Sequence, residues 1–483
     1  MLLPAEWLEF IVTNSRILTA LTLIAFPIAL ICVGRELFNS RTSQGAVAWI
    51  LSLLLLPFPT VLFYLAFGWK QFDDYASLQT HTGRDRRAER ARELLIVDEA
   101  ATEDWKVLAR VAQMPFLAGN SAELLIDGTA TFASLFEGID RARHYILVEF
   151  FTIRDDRLGQ ELADHLIERA RAGVSVRVLY DDVGSRGLSK AYLDRLRAAG
   201  VQVAAFNQQH QWLRLYGPMR INYRNHRKIV VVDGVEAWVG GHNVAVDYLG
   251  ENAEFGHWRD THVHLRGPAA LACALVFRED WAWATGEQLP ATLPDEVEHE
   301  GKEPVLAMPT GPADKLEDCA IAFTEAMSRA KRRLWIVSPY FVPGPDIQTA
   351  FYAAVLRGVD VRILLPRKAD HRLVWLASYA HADDMVAHGV KIYRYNSGFL
   401  HEKVILVDDE IAGVGTVNFD NRSFRINFEI TLWFTGPDFI SKVASMLETD
   451  FAASTLTTSA ELSGRPLYFR LAAQIAKLFS PLL

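Results

Sequence analysis

From about residue 109 onward, short apolar runs alternate with longer stretches whose apolar positions recur every three or four residues. LGQELADHLIERARAG, from Leu158, has helical spacing and passes through Gly173 into GVSVRVLYDD, which has the character of a buried strand. The pattern then repeats. RARHYILVEFFTI (from Arg141) is answered by RAKRRLWIVSPYFV (from Arg329), and GVSVRVLYDD by GVDVRILLPR (from Gly358). AAGVQVAAFN (from Ala198) is likewise answered by AHGVKIYRYN (from Ala387). Helices alternating with short strands predict βαβ units, hence an α/β fold of two similar halves with mostly parallel sheets. The expected halves are 109–288 and 305–455, joined by the Pro-rich, acidic 289–304.

A different pattern occupies the N-terminus. Ile17–Val33 and Ala46–Phe67 are apolar runs of 17 and 22 residues without a charge. At 1.5 Å per residue they reach ~25 and ~33 Å, against a hydrocarbon core of ~30 Å. No basic segment or small-residue cleavage site marks a signal peptide. Two transmembrane helices, about 17–34 and 45–68 within a 1–70 hairpin, are therefore expected. Arg35 and Arg41 stand in the hairpin loop, and Lys70, Arg84, Arg86, Arg87, Arg90 and Arg92 in the charged 71–108 region or just before it. The positive-inside bias puts the C-terminal body in the cytoplasm, on a multi-pass anchor.

Composition narrows the class. Over 483 residues, half of them hydrophobic, mean hydropathy is +0.08, as befits a small membrane part on a large soluble one. The net charge of −8 lacks the basic footprint of a nucleic-acid enzyme. Cys32, Cys273 and Cys319 are too scattered for a disulfide frame or zinc site and read as buried thiols.

Each half carries one chemistry-bearing motif: NHRKIVVVDGVEAWVGGHN in the first, LHEKVILVDDEIAGVGTVN in the second. The shared pattern is His-x-Lys, four residues, then Asp: His226, Lys228, Asp233 and His401, Lys403, Asp408. A Gly-rich turn ending in Asn243 or Asn418 follows. In a strand, residues i and i+2 share a face, so each His lies beside its Lys. Two such strands brought together offer two imidazoles, two ammonium groups and two amides to one phosphodiester. One His can attack phosphorus while the other moves protons. Lysines and asparagines meet the charge on the non-bridging oxygens. No metal or other cofactor is implied. Asp233 and Asp408 end the motif strands and are suited to hold the turn. Asp260 (34 residues past His226) and Glu429 (28 past His401) begin alternating strands and can fix a His tautomer through Nδ1–H.

On these residues the chain resembles the duplicated phospholipase D superfamily. AVAW (from Ala46), YLAFG (from Tyr64), RNHRK (from Arg224), SPYFVP (from Ser338), NFDNRSFRINFE (from Asn418) and the terminal SPLL extend the resemblance to its bacterial cardiolipin synthases. That resemblance implies an inner-membrane enzyme acting on phospholipids, joining two phosphatidylglycerols into cardiolipin and glycerol through a phosphatidyl-histidine. It implies that His226 is the nucleophile, that Glu429 supports His226, and that Asp260 supports His401, with one active site shared by the halves. Gly241 and Thr416 depart from the Ser usual in the turn, which puts a phosphate contact at Gly241 in doubt. Water as acceptor, phosphatidylethanolamine as co-substrate and oligomeric assembly stay open. So do two placements of the 456–483 tail: an ordinary packed helix, or one lying in the membrane interface. Gln211–Arg224, extra in the first half, mixes aromatic and basic residues suited to an anionic headgroup layer.

Overall fold

A computed structural model describes residues 5–40, 43–68, 75, 96–206, 222–289, 301–458 and 460–483. The basic cluster 84–92, most of the acidic linker and residues 211–221 of the insertion lie outside the described residues. The chain divides into two compact units, Met1–Phe72 with Gln209–Tyr223, and Asp73–Gln208 with Arg224–Leu483.

In the first unit a single helix spans Ala5–Asn39. Its Thr19–Asn39 portion is long and apolar enough to cross a membrane. The second apolar run does not form one continuous helix. It is Ser43–Leu55, then Pro57–Phe63, then a π-helical turn Tyr64–Gly68. The break falls at Leu56, whose φ of −135° is extended, because a proline disfavours helical backbone in the residue before it. Ala29, Cys32, Leu53, Val61 and Tyr64 pack together, with the Tyr64 hydroxyl 2.9 Å from Glu36 Oε2. Leu23, Ile31, Phe38 and Leu55 point outward, each at least 70% exposed.

The second unit is built on one sheet. Its first half supplies β1 (Leu117–Ile126), β2 (Tyr145–Phe150), β3 (Ser175–Tyr180), β4 (Gln202–Ala205), β5 (Ile229–Val232), β6 (Glu236–Gly240), β7 (Trp258–Arg259) and β8 (Thr261–Arg266). The second half supplies β9 (Glu303–Thr310), β10 (Arg333–Val337), β11 (Phe341–Val342), β12 (Asp360–Pro366), β13 (Lys391–Tyr395), β14 (Phe399–Leu400), β15 (Val404–Val407), β16 (Ile411–Gly415), β17 (Phe419–Asp420), β18 (Glu429–Phe434) and β19 (Ser454–Leu456). The order is β19-β13-β12-β10-β15-β16-β18-β9-β1-β8-β6-β5-β2-β3-β4, with β9 and β1 joining the halves.

The sheet is mixed, not mostly parallel. Only β2-β3-β4 and β10-β12-β13, linked by crossover helices, run parallel within it. Each motif strand instead reverses within three residues, which forces antiparallel pairing with the next strand. The β5–β6 reversal uses Asp233 (φ 54°) and Gly234 (φ 74°). Asp408 (φ 51°) does the same for β15–β16. The two aspartates have one task. Asp233 accepts the backbone N–H of Arg143, His144 and Tyr145, each at 2.8 Å, and Asp408 those of Lys331, Arg332 and Arg333, each at 2.8 Å. Each carboxylate pins a motif hairpin to the entry of the neighbouring strand.

Candidate active site

The His-x-Lys triplets lie just ahead of β5 and β15, not within them. Their backbone bonds explain why: they reach to the opposite half of the chain. His226 N–H donates to the Phe428 carbonyl (2.9 Å), and His401 N–H to the Arg259 carbonyl (2.8 Å). The same exchange gives the small parallel pair β14–β7 and an isolated bridge between Asn225 and Phe428. Each His is thus laid beside the segment that delivers the other half's acid.

Side chains follow the backbone. His226 Nδ1 lies 3.0 and 2.9 Å from the two Glu429 carboxylate oxygens, and His401 Nδ1 lies 2.6 Å from Asp260 Oδ2. All four residues are buried, as are Lys228 and Lys403. Lys228 Nζ donates back to the His226 carbonyl at 2.6 Å and sits 5.5 Å from the Phe151 ring. Lys403 Nζ lies 2.8 Å from His401 Nδ1 and also bonds the His401 carbonyl. Aromatic rings line the imidazoles: Phe151 lies 5.1 Å from His226, and Trp258 and Tyr248 lie 5.3 and 5.6 Å from His401.

This burial governs protonation. It pushes the His226 imidazole down to about 4, with Glu429 opposing and Lys228 assisting the shift. Burial, then Lys403 and Lys228, hold His401 well below its ordinary range. Burial also lowers the ammonium groups, Lys228 to about 7 and Lys403 to about 8. Glu429 stays on the acidic side despite its own burial, because His226 and Lys228 favour the carboxylate. Each lysine acts on the other half's His as well as its own. An anion entering among these four buried basic groups would favour the charged form of each.

Residues 135–272 and 323–451 match the family model described as cardiolipin synthase, PLD-like domain. "Cardiolipin synthase A" of Pseudomonas syringae pv. syringae (strain B728a) is 43% identical, aligned over 92% of this chain and 94% of that protein. That of Pseudomonas aeruginosa (strain LESB58) is 44% identical, over 92% of this chain and 91% of that one. The chain belongs to the cardiolipin synthase family. The phosphatidylserine synthase crystal structure from Haemophilus influenzae Rd KW20 has a similar fold, with TM-score 0.59 at 14% identity, covering 79% of this chain and 100% of that one.

Within this cardiolipin synthase family member the Gly-rich turns bear on the acids. Thr416 donates its hydroxyl to Glu429 Oε2 at 2.5 Å, and Ser423 and Asn427 reach Oε1 at 2.8 and 3.2 Å. At Gly241, a Cβ would fall 1.9 Å from Asp260 Oδ1. No side chain fits there while Asp260 keeps its place. The two asparagines also differ. Asn243 Oδ1 accepts the Thr152 N–H (3.0 Å) and its Nδ2 donates to the Tyr248 hydroxyl (2.5 Å). Asn418 Oδ1 is buried without a hydrogen-bond partner among the described residues.

Sequence reading missed the middle residue of each His-x-Lys. Arg227 donates to Asp280 Oδ2 (2.5 Å) and to the carbonyls of Glu429 (3.0 Å) and Thr310 (3.2 Å). Glu402 accepts from Thr261 Oγ1 (2.5 Å) and pairs with Arg259 (2.9 Å), which also binds Asp450 (2.7 Å). A charged residue held between the His and Lys of each motif, just ahead of an apolar strand, is the available signal. Tyr75 completes the first network, its hydroxyl 2.7 Å from Asp280 Oδ1 and its ring 4.8 Å from Phe428. His242 and His262, with Nδ1 atoms 3.1 Å apart, are a further buried pair behind the turn.

Proposed function

We propose that this chain joins two phosphatidylglycerol molecules into cardiolipin and glycerol, using one active site to which both halves contribute. The observation that carries this reading is the exchange of acids, His226 with Glu429 and His401 with Asp260. It fits two imidazoles working on one phosphorus, and the relatives' printed name gives the product.

Glu429, with both oxygens on Nδ1, favours the tautomer that leaves the His226 Nε2 lone pair free. His226 Nε2 attacks phosphorus, and the bond from phosphorus to the glycerol headgroup oxygen breaks. His401, as imidazolium, protonates that oxygen and glycerol leaves. The phosphate anion, arriving beside two lysines, supplies the counter-charge that favours this imidazolium. His401 then takes a proton from the headgroup hydroxyl of the second phosphatidylglycerol, whose oxygen attacks phosphorus and releases His226. Lys228, Lys403, Asn243 and Asn418 hold the non-bridging oxygens. Asp233 and Asp408 keep the motif hairpins in place without touching phosphate.

The Thr19–Asn39 helix and the broken run that follows it form the membrane hairpin, with the α/β body in the cytoplasm at the inner membrane. The outward apolar side chains and the basic residues 70–92 support this placement. The test is purified full-length chain with phosphatidylglycerol alone. Cardiolipin and glycerol in equal amounts support the reading. Phosphatidic acid in place of cardiolipin makes water the acceptor and overturns it.

A further inference from the structure

The tail left undecided by its sequence forms a helix, Leu467–Lys477, followed by a 3-10 turn, Ser480–Leu482. One face packs on the helix Arg372–Ala387. Ala473 is fully buried against Tyr379 and Ala380, and Phe469 lies 5.8 and 5.4 Å from the Trp375 and Tyr379 rings. The opposite face is bare. Leu467, Tyr468, Leu471, Ile475, Leu478 and Phe479 are 68, 75, 54, 57, 78 and 45% exposed. Their spacing repeats every three or four residues, so they form one stripe. Leaving so many large apolar side chains in water is unfavourable and marks a surface that is covered in use. The tail's own charge has one sign: Gly464–Leu483 contains Arg465, Arg470 and Lys477 and no acidic residue, in a chain whose net charge is −8. Lys477 pairs with Asp384 of the helix beneath, and the exposed Arg465 and Arg470 supply the basic flank of the stripe.

We propose that this face is a docking surface for an anionic phospholipid bilayer. The inference rests on the lipid substrates of the proposed function and adds where the body meets them. An apolar stripe flanked by cations matches an interfacial helix, its side chains in the acyl boundary and its cations among anionic headgroups. The docked element is also tied to the catalytic centre. The Leu483 carbonyl accepts the Arg422 backbone N–H (2.9 Å), and the Ser480 carbonyl accepts Asn421 Nδ2 (2.9 Å). The next residue, Ser423, holds Glu429 Oε1 at 2.8 Å, and Glu429 holds His226. Docking therefore sets the tail that braces the acid of the first His.

The test uses full-length chain reconstituted in vesicles, with bimane attached at Ile475→Cys. The native cysteines are buried. Glu448→Cys, an exposed site on the helix Pro437–Ala452, is the control. In vesicles containing phosphatidylglycerol, the label at 475 shifts to the blue and is quenched by brominated lipid, whereas the label at 448 is not. A label at 475 that stays in water overturns the proposal, as does one shielded from water but untouched by brominated lipid, which makes a second copy of the chain the occupant. Leu471→Glu with Ile475→Glu lowers the rate on vesicles about tenfold or more, yet leaves the rate on monomeric short-chain phosphatidylglycerol within about twofold. Equal loss on both substrates makes the face structural and overturns the proposal. No cardiolipin from either substrate in the unmodified chain instead refutes the proposed reaction, and the quenching result stands apart from it.

Discussion

Thr416 gives its hydroxyl to Glu429 Oε2 at 2.5 Å, in the position where the first half sets the bare Cα of Gly241 against Asp260. The longer acid has room for a hydroxyl behind it, and the shorter acid fills that room itself. Gly241→Ser, which restores the residue usual in such turns, therefore pushes Asp260 off His401. The expected result is a fall in kcat of about tenfold or more, since a shift near 1 Å in a supporting group costs on that order. Thr416→Ser keeps the hydroxyl and stays within about threefold, whereas Thr416→Val leaves Glu429 with one donor fewer and loses about tenfold. Initial rates with phosphatidylglycerol check all three, and near-normal turnover of Gly241→Ser sinks the steric account.

In the proposed reaction a nucleophile and a proton carrier act as one unit, so His226→Ala and His401→Ala each lower the rate by at least ~10³. They differ in what they trap. After rapid quenching with labelled phosphatidylglycerol, the His401 variant still yields an acid-labile protein adduct when the leaving group is improved, and the His226 variant yields none. An adduct mapped to His401 reverses the two roles.

Acid works against three buried histidines over a definable window. Burial holds His226 near 4, and His242 and His262 near 3. Unfolding raises each toward the ordinary value near 6.5. Between those limits these three sites bind more protons in the unfolded chain than in the folded one, so their contribution to stability falls as pH drops from about 6.5 toward 4, while the buried Glu303 and Asp420, raised to about 7 and about 6, act in the opposite sense. Each proton contributes about 1.4 kcal/mol per pH unit. Urea midpoints measured across this range test the slope, and His262→Gln reduces it by about one proton. A slope unchanged by His262→Gln contradicts burial of that imidazole as the cause.

Asp280→Ala strands the buried Arg227 guanidinium and costs ~3–5 kcal/mol, whereas Tyr75→Phe, which removes one donor from the same carboxylate, costs about 1 kcal/mol. Chemical denaturation of the two variants reads the difference. Similar small losses for both show that the network relaxes around the missing charge.

Much of this site was legible because its spacing is fixed by backbone geometry. His226 with Lys228 and His401 with Lys403 stand two residues apart in extended segments, and the repeat placed each pair in its half. The turn-holding use of Asp233 and Asp408 was also readable, since a carboxylate after a strand and before Gly or Asp suits a reversal. The mixed sheet was not readable from apolar periodicity, which is the same for parallel and antiparallel buried strands. The three-residue hairpin after β5 carried that information. The break at Leu56 was written in Pro57, yet a count of uncharged residues passes over it. The tie of Tyr75 to Asp280 spans 205 positions, and no local pattern reports a contact of that separation.

The crossing of acids between halves has a consequence for how such a centre diversifies. In a symmetric dimer of one half, every substitution is made twice, so both histidines would face the same acid and the same turn. Covalent linkage of the halves removes that constraint. One centre carries Asp260 with Gly241 and the other Glu429 with Thr416, so each imidazole has its own electrostatic setting. Each half, taken alone, holds an imidazole whose carboxylate lies in the other. In the proposed reaction neither half alone would therefore work, and each imidazole could be tuned without altering its counterpart.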